Sequence, residues 1–275
     1  MSYQFEQGGA YRMPTHFGQV SGARNIPTHI VQDHARFPEV SRFSIHFLTD
    51  PALLARQLPA RLELACEPIV TIYFSTMKNI QWLAGRGYNV LSYSFPVTYR
   101  GAARTQTAHF KAVLWEALPD ACISGREDLG FNKLWADIPD PRVFGDSYHY
   151  EASWLGFKFI EAEFQAEGSV AALPELPGKA EVRGTLNHKY IPKSGHRGQC
   201  DVDYFTYWPE FEVQNVRNIL VGRGQFRFNP ATWEQLPTMH HVVNRLAELP
   251  VRQILSSTLV FGSGQGAVAN LEILP

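Results

Sequence analysis

The stretch "GREDLGFNKLWADIP", residues 125–139, sets a single lysine among apolar and aromatic residues. Lys133 lies two positions after Phe131 and directly before Leu134 and Trp135. On a surface, such a lysine keeps its ammonium wet while its stem covers apolar neighbours. In a dry pocket it behaves differently. Desolvation disfavours the charged form, and so does a nearby cation such as Arg126. The neutral amine is then a nucleophile that attacks a ketone to give an imine, and the protonated imine accepts electrons from the adjacent carbon. Arg126 and Glu127 have two readings, an ion pair that steadies the loop or a contact with substrate. The supporting role is favoured, because adjacent residues of an extended segment point apart.

Other reactive residue types form no comparable pattern. There are ten histidines, but no H-E-x-x-H and no H-x-H, and His240 and His241 fall on different faces of a predicted helix. No metal site and no cofactor are expected. Cys66, Cys122 and Cys200 are scattered and never form C-x-x-C, which fits reduced thiols. The glycines at 262, 264 and 266 in "FGSGQG" match neither G-x-G-x-x-G nor G-x-x-x-x-G-K-[ST] and read as a turn. "GRGYN" (85–89) and "VGRGQ" (221–225) also read as turns, and no G-x-S-x-G elbow occurs.

The elements that must hold Lys133 are mostly strands. "IVTIYFSTM", "YNVLSYSFPVTYRG", "TQTAHFKAVLWE", "YHYEASWLGFKFIEAEFQ", "KAEVRGTLNHKYIP", "VDYFTYWPEFEVQNVRNILVGRGQFRF" and "VRQILSSTLVFGSG" are rich in Val, Ile, Tyr, Phe and Thr. Gly, Pro, Asp and Asn separate them. Many strands without regular intervening helices predict a mainly β (α+β) domain, closed or strongly curled to remove its edges. Two helices are predicted. Asp50 caps one, with Pro51 at its first position and Leu53, Leu54 and Leu58 on one face. The other spans 231–249 and is stopped by Pro250. Residues 1–40, rich in Gly, Pro, His and Gln, read as an extended arm packed on the domain, and 41–275 as a single domain.

Composition narrows the partners. The chain has 275 residues, of which 45% are hydrophobic and 19% charged, with a net charge of -1. That charge argues against nucleic acid, and no window approaches the roughly 20 apolar residues of a membrane span. The start lacks a basic segment followed by an apolar run, so a cytoplasmic protein is expected. The expected partner is a small molecule or another copy of the chain.

"SGREDLGFNKLWAD" resembles the acetoacetate decarboxylase superfamily, whose pattern is Gly-Arg-Glu, a short spacer and a Schiff-base lysine. Lys133 falls at that lysine without a gap. "FPVTYRG" (95–101), "LPVRQILSSTLVFG" (249–262, with Gln253 in place of an acid) and, more weakly, "FSIHFLTDPALLARQLPARLEL" (43–64) follow in the family's order. The resemblance implies a closed, cone-like antiparallel β-barrel with a few peripheral helices, and a homo-oligomer. It also implies a lyase whose Lys133 forms an imine with a keto-acid substrate. Decarboxylation of a β-keto acid is the leading reaction. An aldolase-dehydratase acting on an α-keto acid such as pyruvate is the first alternative, and a non-catalytic barrel holding a small apolar ligand the second.

Several positions depart from the family pattern. Leu134 stands where the decarboxylase has a second lysine, so burial would have to replace that neighbouring charge. The family's active-site glutamate falls near Asn89 or Val90, an earlier glutamate near Tyr73, and a substrate-facing arginine near Val40 or Arg42. Arg42, Tyr73, Tyr88 and Asn89, together with Arg86 and Arg104, are therefore the expected polar replacements around Lys133 and Phe131.

Overall fold

The computed structural model describes residues 4–19, 27, 29–30, 33, 35–176, 182–209, 213–264 and 270–274. Parts of the N-terminal arm and of the segments around 179–181 and 210–212, with Gly266 of "FGSGQG", lie outside the described residues. Strand β1 (Glu39–Leu48) leads through a capped turn into helix α1 (Pro51–Ala55). The Asp50 carboxylate accepts from the amides of Ala52 at 2.9 Å and Leu53 at 3.0 Å, and Pro51 needs no donor partner there. Leu54 is fully buried, while Leu53 and Leu58 pack on the same core from its rim.

The strands that follow are β2 (Leu62–Leu64), β3 (Ile69–Lys78), β4 (Tyr88–Arg100) and β5 (Thr105–Glu116). Helix α2 (Pro119–Ser124) and a π-helical turn (Gly125–Leu129) deliver the chain into β6 (Lys133–Trp135). Then come β7 (Arg142–Phe144), β8 (Ser147–Trp154), β9 (Phe157–Ser169), β10 (Thr185–Pro192), β11 (Cys200–Trp208) and β12 (Asn218–Phe228). Helix α3 (His240–Ala247), β13 (Gln253–Ser263) and β14 (Glu272–Leu274) complete the described elements. Helix 231–249 is shorter than its periodicity suggests. Pro237 interrupts the stretch, and the chain turns until residue 239 before the helix starts.

The strands form one sheet in the order β14-β11-β10-β5-β4-β3-β1-β13-β12-β9-β8-β7, with β2 on β4 and β6 on β5. The closed antiparallel barrel is corrected on two points. The order among the described residues is a path with two ends, and β5 pairs parallel with both β6 and β10. The sheet is nevertheless strongly curled. β5 and β9 are six places apart in the order, about 29 Å if the sheet were flat. Yet the rings of Trp115 on β5 and Phe159 on β9 have centroids 5.3 Å apart. Phe43 on β1 likewise reaches Tyr150 on β8 at 4.9 Å. The curled face encloses one large apolar core, in which aromatic pairs span strands that are distant in the order.

Candidate active site

The alternation of β4 explains how one sheet carries both a core and a site. Leu91, Tyr93, Phe95, Val97 and Tyr99 all join the main core. Val90, Ser92 and Ser94 therefore face the other side. Register carries that second face outward. Ser75 pairs with both Val90 and Arg42, and Tyr73 with both Ser92 and Ser44. Glu116 pairs with Val90 and Leu114 with Ser92. Leu114 pairs in turn with Lys133 across the parallel β5–β6 ladder. Arg42, Tyr73, Ser75, Val90, Leu114, Glu116 and Lys133 thus share one face by strand geometry alone.

They line a cleft with about 580 Å³ of empty space, including the part open at its mouth. Its other walls are Met77, Ile80, Trp82, Tyr88, Leu129, Phe131 and Trp208. Tyr73, Val90, Leu114, Leu129, Phe131 and Trp208 form an apolar cluster separate from the main core.

Lys133 is 6% exposed. Its Nζ lies 2.8 Å from Oε1 of Glu116, donates to the Ala121 carbonyl at 3.1 Å, and sits 5.3 Å from the Phe131 ring centroid. Gly125 is the reason the amine fits. A Cβ there would stand 2.2 Å from Nζ and 2.4 Å from Cε, so only glycine leaves room for the lysine stem. The π-helical turn then closes with the Phe131 amide donating to the Gly125 carbonyl at 3.1 Å, which aims Phe131 and Lys133 back toward the cleft. Thr206 fixes the turn from β11, its hydroxyl donating to the Leu129 carbonyl at 2.7 Å.

The expected activating cation is not beside the amine. Arg126 is exposed, and its guanidinium donates to the backbone carbonyl of Lys133 at 2.9 Å. The charged group on the amine is the carboxylate of Glu116. The Arg126–Glu127 ion pair is also corrected. Glu127 pairs with Arg12 at 2.6 Å, and Asp128 takes the other guanidinium nitrogen at 2.5 Å. Arg126 and Glu127 therefore brace the turn from outside and do not line the cleft.

Asn89 is corrected for the same kind of reason. It is one residue out of phase with Val90 and so lies on the other face. Its amide donates to the Ile138 carbonyl at 3.0 Å and to Asp140 at 2.9 Å. Arg86 is exposed, and Arg104 pairs with Glu272 near Tyr207. The cleft does bring Phe131, Tyr88, Tyr73 and Arg42 to Lys133. Leu134, next to the lysine, points to the opposite side and packs on the main core.

Sequence reasoning missed Glu116, which ends a strand rich in apolar residues. It also missed Lys111, a second buried lysine at 5% exposure. Nζ of Lys111 lies 3.5 Å from the Tyr73 hydroxyl and 4.6 Å from its ring centroid, and Arg42 covers the same ring at 4.6 Å. Burial, assisted by the Arg42 charge, pushes the Lys111 amine below its ordinary range, with Tyr73 opposing. Burial alone would raise the Tyr73 phenol, but the charges of Lys111 and Arg42 and neighbouring hydrogen bonds outweigh it, so the phenol is lowered. The Cys122 thiol, also near Glu116, is pushed up to about 12 by burial first and then by that carboxylate. Among the described residues no cluster of His, Cys, Asp and Glu fit to hold a metal is found.

A family model described as acetoacetate decarboxylase (ADC) matches residues 12–265, nearly the whole chain. The chain belongs to the acetoacetate decarboxylase family. Three solved structures share its fold. An acetoacetate decarboxylase from Legionella pneumophila is 19% identical with a TM-score of 0.62, covering 91% of this chain and 97% of its own. The enduracididine biosynthesis enzyme MppR, complexed with the condensation product of pyruvate and imidazole 4-carboxaldehyde, is 17% identical with a TM-score of 0.63, covering 92% and 91%. An acetoacetate decarboxylase-like enzyme from Sphingomonas wittichii RW1 is 18% identical with a TM-score of 0.61, covering 89% and 98%. A search of the curated proteins finds no match. Lys133 follows the Gly-Arg-Glu run at residues 125–127 by six positions. Around its amine stand Glu116 and the Ala121 carbonyl at the nitrogen, and Tyr73, Arg42 and Tyr88 in the lining of the same cleft.

Proposed function

We propose that this family member is a Schiff-base-forming lyase that decarboxylates a β-keto acid through Lys133. The observation that carries the reading is a buried amine, paired with one carboxylate, in the lining of a cleft whose walls are mostly apolar and aromatic side chains. Glu116 Oε1, 2.8 Å from Nζ, is placed to accept the proton that the amine sheds before it acts as a nucleophile. The amine then adds to the keto carbon, and loss of water gives an iminium. As carbon dioxide leaves, its bonding electrons move into the iminium, forming an enamine. A proton is added at carbon, and water releases the ketone and regenerates the amine. Arg42 is the cleft cation suited to orient the substrate carboxylate before it departs.

The second reading is aldol condensation with dehydration on an α-keto acid such as pyruvate. Trp82 and Tyr88, with ring centroids 6.4 Å apart at the cleft, favour it because they offer an aromatic wall for a second substrate. The test is reductive trapping. The protein is incubated with acetoacetate, or with pyruvate and an aldehyde, then treated with borohydride and weighed intact. We expect one adduct, lost in Lys133→Ala. Carbon dioxide release from acetoacetate selects decarboxylation, and a condensed, dehydrated product selects the second reading. No adduct with any keto acid rejects both and leaves a binding protein.

A further inference from the structure

The enamine in either reaction must gain or lose a proton at carbon, and the ion pair at the lysine nitrogen does not by itself supply that second proton site. The cleft holds a separate candidate. Tyr73 forms part of its wall, and Lys111 stands behind the Tyr73 hydroxyl at 3.5 Å. Lys111 reaches that position through a defect in the strand. Simple alternation along β5 would place residues 114 and 116 on the cleft face and residue 111 on the core face. Ladder partners run Leu114 with Ser92 and Val113 with Tyr93, and then Lys111 with Ser94, so Ala112 is an extra residue. That bulge reverses the phase and turns the Lys111 side chain onto the cleft face. Phe110 beyond it returns to the main core.

We propose that Lys111 is a positioning residue that holds the Tyr73 hydroxyl at the cleft wall, and that the two together accept and return the proton at the carbon of the Lys133-bound substrate. This rests on the imine reading. The groups facing Tyr73 are Arg42 from β1, Ser92 from β4, Lys111 and Glu116 from β5, and Lys133 from β6, with His46 farther along the same face of β1. Two buried groups with lowered proton affinity titrate as a unit, and the doubly protonated pair sheds its first proton more readily than either group alone. The singly protonated pair is the base. It takes a proton from the methyl carbon next to the iminium, the C–H electrons form the C=C bond, and the iminium electrons return to nitrogen. The reverse step restores the iminium and the base.

The test separates imine formation from proton transfer. Acetone and pyruvate are each trapped on the protein with borohydride, and deuterium uptake into their methyl groups is followed by NMR in heavy water across a pH series. In Tyr73→Phe we expect trapping on Lys133 to persist while exchange falls about 100-fold, the range of a lost general base. In Lys111→Met exchange should fall about tenfold at neutral pH, with its rise displaced to higher pH, as expected when one pKa unit is worth a factor of ten. Lys111→Arg should recover much of the rate, because it restores a cation behind the hydroxyl. Circular dichroism reports folding, and if Lys111→Met does not fold, Tyr73→Phe and Lys111→Arg still decide. Normal trapping with unchanged exchange and pH profile in Tyr73→Phe overturns the proton role alone. No trapping in the unsubstituted protein overturns the imine reading and this inference with it.

Discussion

Replacing Gly125 by alanine adds one methyl group, and the structure says where it goes. The new Cβ would stand 2.2 Å from Nζ, 2.4 Å from Cε and 2.6 Å from Cδ of Lys133. Gly125 has φ -69° and ψ -33°, so alanine fits the backbone without strain. Ordinary carbon contacts lie at about 3.5–4.0 Å, so the amine must retreat by roughly 1.3 Å. That exceeds what its 2.8 Å contact with Glu116 and 3.1 Å bond to Ala121 tolerate. A displacement of about 1 Å at a reacting group costs on the order of 100-fold in rate. The assay is the rate of borohydride-trapped adduct formation with acetoacetate, by intact mass. Gly168→Ala is the control, since a Cβ there meets nothing within 4 Å. We expect Gly125→Ala to fold and to trap about 100-fold more slowly, with the control unaffected. A folded Gly125→Ala protein that traps as fast as the parent would refute the claim that the glycine sets the amine's position.

The remaining predictions use other parts of the site. Glu116→Gln leaves the ammonium buried without its carboxylate and should cost about 3–5 kcal/mol in urea unfolding, as for other broken buried pairs, and slow trapping as well. Asn89→Ala removes one buried and one half-buried hydrogen bond on the face away from the cleft. It should cost roughly 2 kcal/mol of stability and leave the trapping rate unchanged. Cys122, buried and with its thiol pushed up to about 12, should resist iodoacetamide at neutral pH while exposed Cys200 reacts, as peptide mass spectrometry would show.

Lys133 was legible because a lone cation in an apolar stretch, inside an ordered set of motif matches, needs no three-dimensional information. The β-rich character and the Asp50 cap were legible for the same reason: each depends on residues within a few positions. Asn89 was misplaced because counting along a motif does not say which face of a strand a residue occupies, and one step of slip exchanges cleft for core. Arg126 was misread because its distance from Lys133 in sequence says nothing of direction, and the π-helical turn sends its guanidinium to the backbone. Glu116 was hidden because an acid at a strand end reads as a solvated terminus. Lys111 was the least legible. Its place depends on a bulge at Ala112, and neither glycine nor proline marks that position.

Under the proposed function, the two buried lysines would let one cleft serve either reaction. Lys133 has a carboxylate at its nitrogen, while Lys111 has a phenol between it and the cleft wall. In the proposed chemistry the first pairing governs formation and release of the imine, and the second exchanges the proton at carbon. Decarboxylation and proton abstraction from an α-keto acid converge on the same kind of enamine, so neither amine needs to change its role between them. The outcome then depends on a competition at carbon. If the Tyr73–Lys111 pair delivers its proton first, the enamine collapses to a simple ketone or returns to the starting keto acid. If an aldehyde seated against Trp82 and Tyr88 arrives first, a carbon–carbon bond forms instead. Slowing the proton return in Tyr73→Phe should therefore shift product toward condensation whenever aldehyde is present. The ratio of condensed to protonated product, measured against aldehyde concentration, reads that competition directly. A ratio unchanged from the parent would mean that proton return from this pair does not compete with the aldehyde.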